Sequence, residues 1–115
     1  MTFQAFLQTL PDHETVLQRF GGSEALLLRF IRKFPGEPTF GQLKAAMEAG
    51  DWKGVETAAH TLKGVAGNLG FQQLFSLSQQ MVDAVRRGDL ALLPALWQQA
   101  EAAYTVLCEQ IASLD

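Results

Sequence analysis

Glycine punctuation constrains this chain more than any other feature. Gly50, Gly70 and Gly88 each stand just past a stretch whose apolar residues recur at three- and four-residue intervals, and Gly50 and Gly88 are each followed by an aspartate. Glycine readily takes the left-handed conformation that ends a helix, and an aspartate side chain accepts the unpaired amides that begin one. The pattern predicts one helix after another, and no alternation of the kind a half-buried strand needs competes with it.

Working outward from those stops, Thr2 to about Leu10 forms a first helix closed by Pro11. Asp12 caps a second short segment ending at Phe20, where Gly21 and Gly22 supply the stop. Ser23 caps a third helix through Phe34, broken by the run Pro35-Gly36-Glu37-Pro38. Thr39 followed by Gln42 reads as a capping box opening a helix that ends at Gly50. Asp51 caps the next, which runs to Leu69, and Phe71 to Arg87 makes another. The last helix carries Leu96, Ala100, Ala103, Leu107, Ile111 and Leu114 as one apolar stripe. Proline past a first turn loses a hydrogen bond and clashes backwards, so Pro94 places the start of that helix near Leu93, after a separate turn following Asp89. Long amphipathic helices on short connections bury their stripes most economically side by side. The expected fold is all-α: an antiparallel four-helix bundle with one or two short additional N-terminal helices, residues 1–115 forming a single domain. Trp52 and Trp97 are expected to be packing residues.

Composition narrows the function. With 115 residues and 48% apolar content the chain can bury its own core without a disulfide or metal. A net charge of −3 gives no basic excess for nucleic acid. No run approaches the roughly 18 apolar residues a membrane span needs. The first basic residue is Arg19, so the N-terminus does not read as a secretory signal. Cys108 has no internal partner, which fits a reducing compartment, and the expectation is a cytoplasmic, free-standing monomer. His13 and His60 are the only histidines, neither with further ligands at helical spacing, so no metal site is expected. No glycine-rich nucleotide loop with its lysine is present, so the chain is not expected to bind ATP.

The stretch Asp51 to Leu69 carries the chemistry. On a wheel of about 100° per residue with His60 at zero, Val55, Ala58, Leu62, Val65, Ala66 and Leu69 fall within about 60° of the opposite pole. That stripe faces a core and places His60 at the centre of the outward face. Around it lie Lys53, Glu56, Thr57, Lys63, Gly64 and Gly67. Exposed helical glycines cost about 1 kcal/mol each relative to alanine. Gly64 and Gly67 would leave the surface bare one and two turns beyond the imidazole, room for a bulky partner to approach. Lys63 stands one turn along, within reach of a dianion carried on His60, and an ammonium stabilises the charge that gathers on a transferring phosphoryl group. A lone exposed histidine is ordinarily just solvated. The wheel by itself leaves both readings open.

The run His60-Thr61-Leu62-Lys63-Gly64-Val65-Ala66-Gly67-Asn68-Leu69-Gly70 closely resembles the signature of histidine-containing phosphotransfer domains, His-x-Leu-Lys-Gly-x-Ala/Ser-x-x-Leu-Gly. Asp51, Phe20-Gly21-Gly22-Ser23, Leu74, Leu77 and Arg87-Gly88-Asp89 also match that family's layout, so the likeness extends from about Val16 to the C-terminus. The resemblance implies a four-helix bundle and phosphate carried on Nε2 of His60, with Lys63 supporting its charge and Gly64 leaving room for a receiver domain. It further implies that a Glu or Gln on the neighbouring helix orients the imidazole. Gln79 falls at the matching offset, although with Gln72, Ser76 and Asp83 it also fits a plain solvated face. Two departures stand out: Val82, where some members carry a further glutamine, and the Pro35 to Pro38 break. The partners implied are response-regulator receiver domains or a hybrid histidine kinase, and the chain itself would carry no cofactor, the divalent metal belonging to the receiver. It would be a phosphocarrier, not an autonomous enzyme. Other readings of the same residues are the phosphorylatable domain of a chemotaxis-type kinase and a binding-only bundle. Phe71 and Phe75 are docking candidates, with core packing the better expectation for both.

Overall fold

A computed structural model describes all residues, Met1 to Asp115. Seven α-helices follow one another: α1 (Phe3–Gln8), α2 (His13–Arg19), α3 (Glu24–Lys33), α4 (Thr39–Ala49), α5 (Trp52–Leu69), α6 (Gln72–Arg87) and α7 (Leu93–Ala112). Short 3₁₀ turns at Phe34–Gly36 and Leu90–Leu92 fill the proline break before α4 and the connection into α7, and no strand is present. The expected all-α bundle is what forms.

The glycine stops behave as their chemistry dictates. Gly50, Gly70 and Gly88 have φ of +63°, +79° and +75°, and the amide after each reaches back to a carbonyl five residues earlier. That is the Schellman closure, which pairs otherwise orphaned carbonyls. Gly70 is required twice over, because an added Cβ would fall 2.5 Å from Val16 Cγ2. Arg19 of α2 completes this end of α5 by donating to the carbonyls of Gly67 (2.8 Å) and Asn68 (3.2 Å). A guanidinium there also complements the negative end of the helix dipole.

At the opposite ends, Thr2, Ser23 and Asp51 accept from Ala5, Leu26 and Gly54 amides as N-caps. The other expected caps differ. Asp12 makes no side-chain cap bond, and Asp89 precedes the Leu90–Leu92 turn without one. Thr39 is not the cap of α4 but its first residue, and it is buried. Its amide and hydroxyl both donate to the Glu37 carboxylate, at 3.0 and 2.6 Å, so the glutamate in the proline break does the work assigned to the Thr39–Gln42 box. A carboxylate is the better acceptor, and burial of Thr39 requires its hydroxyl to be paired.

Helix α5 packs between α4 and α6, α7 packs against α6 and meets α4 through its aromatic residues, and α3 closes against α5 and α7. A single cluster of 27 buried apolar residues runs through all seven helices. Phe71 is part of it, 2% exposed and set edge-on to Phe6 and Phe34, which removes it from any docking surface. Phe40 stacks on Tyr104 and Trp97, and the Tyr104 hydroxyl donates to the Pro35 carbonyl (3.3 Å), tying the proline break to α7. Burial pushes the Tyr104 phenol up to about 12, with a Cys108 contact adding to it. Trp97 packs as expected. Trp52 does not: at the first turn of α5 it is 38% exposed, about 100° round the helix from the centre of the buried stripe.

Candidate functional site

The site is the outward face of α5. Its inner side is formed by Val55, Ala58, Ala59, Leu62, Ala66 and Leu69, all buried, with Val65 half-buried at the margin. That sequence of apolar positions leaves one rotational setting for the helix, and in it His60 is exposed. The helix is continuous from Trp52 to Leu69, so the imidazole stands on rigid backbone several residues from either end. Thr57 and Thr61 flank it, but each hydroxyl donates to the carbonyl four residues earlier, at 3.0 and 3.1 Å. Their polarity is turned inward to their own helix. The other histidine is a contrast: His13 is half-buried with Nδ1 3.2 Å from the Leu10 carbonyl.

The two glycines expected to bare this surface separate. Gly64, one turn from His60, is exposed, and a Cβ there would meet no atom within 4 Å. Gly67 is not bare. The Phe75 ring from α6 lies across it, so that a Cβ would come within 2.9 Å of Phe75 Cδ2. Gly67 admits the aromatic ring to the α5–α6 seam, and Phe75 is half-buried there as a packing residue. The wheel placed Gly67 correctly on the outward side. It had no means of showing how far a long side chain on the next helix reaches over it.

Lys63 and Gln79 are brought together, but not as the resemblance implied. Lys63 Nζ donates to Gln79 Oε1 at 2.7 Å, and Gln79 Nε2 donates to Asp83 Oδ1 at 2.9 Å. The amide therefore lies between Lys63 and Asp83 and makes no bond to His60. Val82, in place of the further glutamine of some family members, is buried in the core.

Sequence reasoning missed an ion cluster one turn before His60. Glu56 accepts from Arg86 Nε (2.7 Å) and from Lys53 Nζ (3.1 Å). The Arg86 hydrogen bond first, and the Lys53 bond second, hold the Glu56 carboxyl below its ordinary range. The one carboxylate within α5 is thus matched by two cations, and the face around His60 is left with no unpaired negative charge from this helix. Lys53 lies at i−3 from Glu56 and was readable; Arg86 comes from α6 and was not. A second missed feature is the open groove on the α3 side of Gly64, lined by Phe30, Lys33, Phe34, Thr61 and Val65. Phe30 is 42% exposed, with its ring against Phe20 and Lys33 Nζ 5.5 Å from the ring centre.

No group of three or more His, Cys, Asp or Glu side chains is placed to hold a metal ion, and no helix is long and apolar enough to cross a membrane. Comparison with curated protein sequences gave no significant match. Among solved structures, the chain is similar to histidine-containing phosphotransfer protein B (HptB) from Pseudomonas aeruginosa PAO1, with 26% identity, a TM-score of 0.72 and 90% of each chain covered. The family model described as Hpt domain matches residues 2–113. Such domains are phosphocarriers that work with receiver domains and histidine kinases. The match runs from the first helix through the last: the chain belongs to the Hpt domains, the histidine phosphotransfer proteins of phosphorelays.

Proposed function

We propose that His60 accepts a phosphoryl group from the aspartyl phosphate of one receiver domain and delivers it to the aspartate of another. The observation that carries this reading is the pairing of an exposed, rigidly mounted imidazole with open space at Gly64 one turn away. Neutral Nε2 attacks phosphorus in line with the aspartyl oxygen; the N–P bond forms as the O–P bond breaks and the carboxylate leaves. Transfer onward is the reverse step with a second carboxylate. Lys63 stabilises the oxygens of the phosphoryl group, and the divalent ion that such chemistry uses belongs to the receiver.

Gly64 gives the receiver backbone-level access to His60, and the groove towards Phe30 offers it apolar area beside one cation, Lys33, and one carboxylate, Glu37. Gly67 serves this approach through the seam, by seating Phe75 low against α5. The chain works as a carrier without kinase or ATPase activity of its own, as a single-domain monomer. Its place is the cytoplasm, where the unpaired Cys108 stays reduced.

The test is incubation with a phosphorylated receiver domain, reading acid-labile, base-stable phosphate on the chain. Labelling of the wild type, and none of His60→Gln, is expected. Binding without labelling would favour a docking-only bundle. Labelling by a kinase domain with ATP, but by no phosphorylated receiver, would favour the chemotaxis-type reading.

A further inference from the structure

We infer that Gln79 is a positioning residue for Lys63 and that Asp83 sets its polarity; this rests on the phosphotransfer reading of His60. The three side chains form a chain of two hydrogen bonds linking α5 to α6, Lys63 Nζ to Gln79 Oε1 (2.7 Å) and Gln79 Nε2 to Asp83 Oδ1 (2.9 Å). An ammonium can only donate and an ionised carboxylate can only accept. The amide between them has one orientation that satisfies both, with its oxygen towards the lysine. Asp83 therefore decides which end of Gln79 Lys63 meets.

The consequence lies in what the amide replaces. Lysine is a flexible point charge on a four-carbon stem, and a free one samples many rotamers. A direct carboxylate partner would localise it but neutralise the charge a phosphoryl group needs. Gln79 localises it with a neutral acceptor and keeps the acidic group one side chain further away. One of the three ammonium protons is engaged, and two remain for the phosphoryl oxygens. Arg87 lies on the other side of Asp83, its Nη2 3.8 Å from Oδ2, and adds a loose ion pair there.

The experiment measures single-turnover phosphate transfer from a phosphorylated receiver, kcat being the rate constant at saturating receiver and KM the half-saturating receiver concentration, to the wild type, Gln79→Ala, Gln79→Glu, Asp83→Asn, Lys63→Met and the Gln79→Ala/Lys63→Met pair. Loss of the tether in Gln79→Ala should lower kcat about three- to tenfold and leave KM within about twofold. Asp83→Asn should act in the same direction and less strongly. Gln79→Glu should fall at least as far as Gln79→Ala, because it neutralises the ammonium, whereas a residue that oriented the imidazole would be replaced well by glutamate. In the Lys63→Met background Gln79→Ala should have no further effect, a non-additivity that general loss of packing would not produce. Two NMR readouts are independent of turnover: the Lys63 ammonium signal should broaden in Gln79→Ala, and the His60 tautomer should stay as in the wild type. Additive effects, an unchanged kcat, a rate preserved in Gln79→Glu, an unchanged ammonium signal or a tautomer shift would each overturn the inference. A wild type that accepts no phosphate overturns the function proposed above, a failure distinct from all of these.

Discussion

The two faces of α5 share one helix and have opposite requirements. The inner face, from Val55 to Leu69, is apolar, and the burial of its larger side chains contributes about 1.5–3 kcal/mol each. The outer face holds His60 and Gly64, both exposed, and a glycine in an open helical position costs about 1 kcal/mol relative to alanine. Burial lies on one side and the proposed phosphoryl acceptor on the other. Mutations should therefore separate cleanly by face.

The largest stability effect belongs to the inner face. Leu62 is fully buried, and Leu62→Ala should lower the free energy of unfolding in urea by about 2–5 kcal/mol. His60→Gln, only two residues away, should change it by less than about 0.5 kcal/mol. Comparable losses at the two positions would break the division between faces.

Next in size is the outer face's own contrast. Gly64→Ala meets open space and should stabilise the chain by about 1 kcal/mol, whereas Gly67→Ala drives a methyl into Phe75 and should fall short of it by about 1 kcal/mol or more. Thermal unfolding of the two variants side by side reads the difference. A bulky Gly64→Leu should leave the fold intact and cut receiver-dependent labelling by about tenfold, seen in KM more than in kcat. Equal thermal shifts at 64 and 67 would mean that Phe75 does not cover Gly67.

The smallest effect sharpens the comparison from a distance. Tyr104 is the only tyrosine, so phenolate absorbance reports on it alone. Its folded pKa, pushed up to about 12 chiefly by burial, lies above the value near 10 of an exposed phenol. The unfolded chain loses that proton first, so the Tyr104 contribution to stability is unaffected below about pH 10 and declines as the pH rises towards 12. Burial raises the Cys108 thiol as well, and its share of the alkaline loss begins earlier, near the ordinary thiol range. A phenol titrating near 10 in the folded protein would contradict the packing of α7 against the proline break.

What was readable in the chain is what one helix determines by itself. The stops at Gly50, Gly70 and Gly88 follow from local backbone chemistry, and the outward setting of His60 from the periodicity of α5. The late start of α7 at Leu93 follows from Pro94. What was not readable depends on a second element. Phe75 over Gly67, Arg86 on Glu56 and Gln79 on Lys63 are all reaches from α6, and their register against α5 is set by packing that no single wheel contains. The Thr39 cap failed for a related reason, since Glu37 reaches the same amide from inside a break that has no periodicity. Residue type suggests packing for Trp52, whereas its place at the side of the stripe leaves it exposed.

The most direct test of the central claim is to locate the phosphate. The chain contains two histidines, His13 and His60, and only His60 stands clear of the backbone on an open face. After labelling by a phosphorylated receiver, peptide mapping under alkaline conditions should recover all acid-labile phosphate on the segment containing His60, with NMR assigning it to Nε2. Phosphate on the segment containing His13, or labelling that survives His60→Gln, would contradict the account.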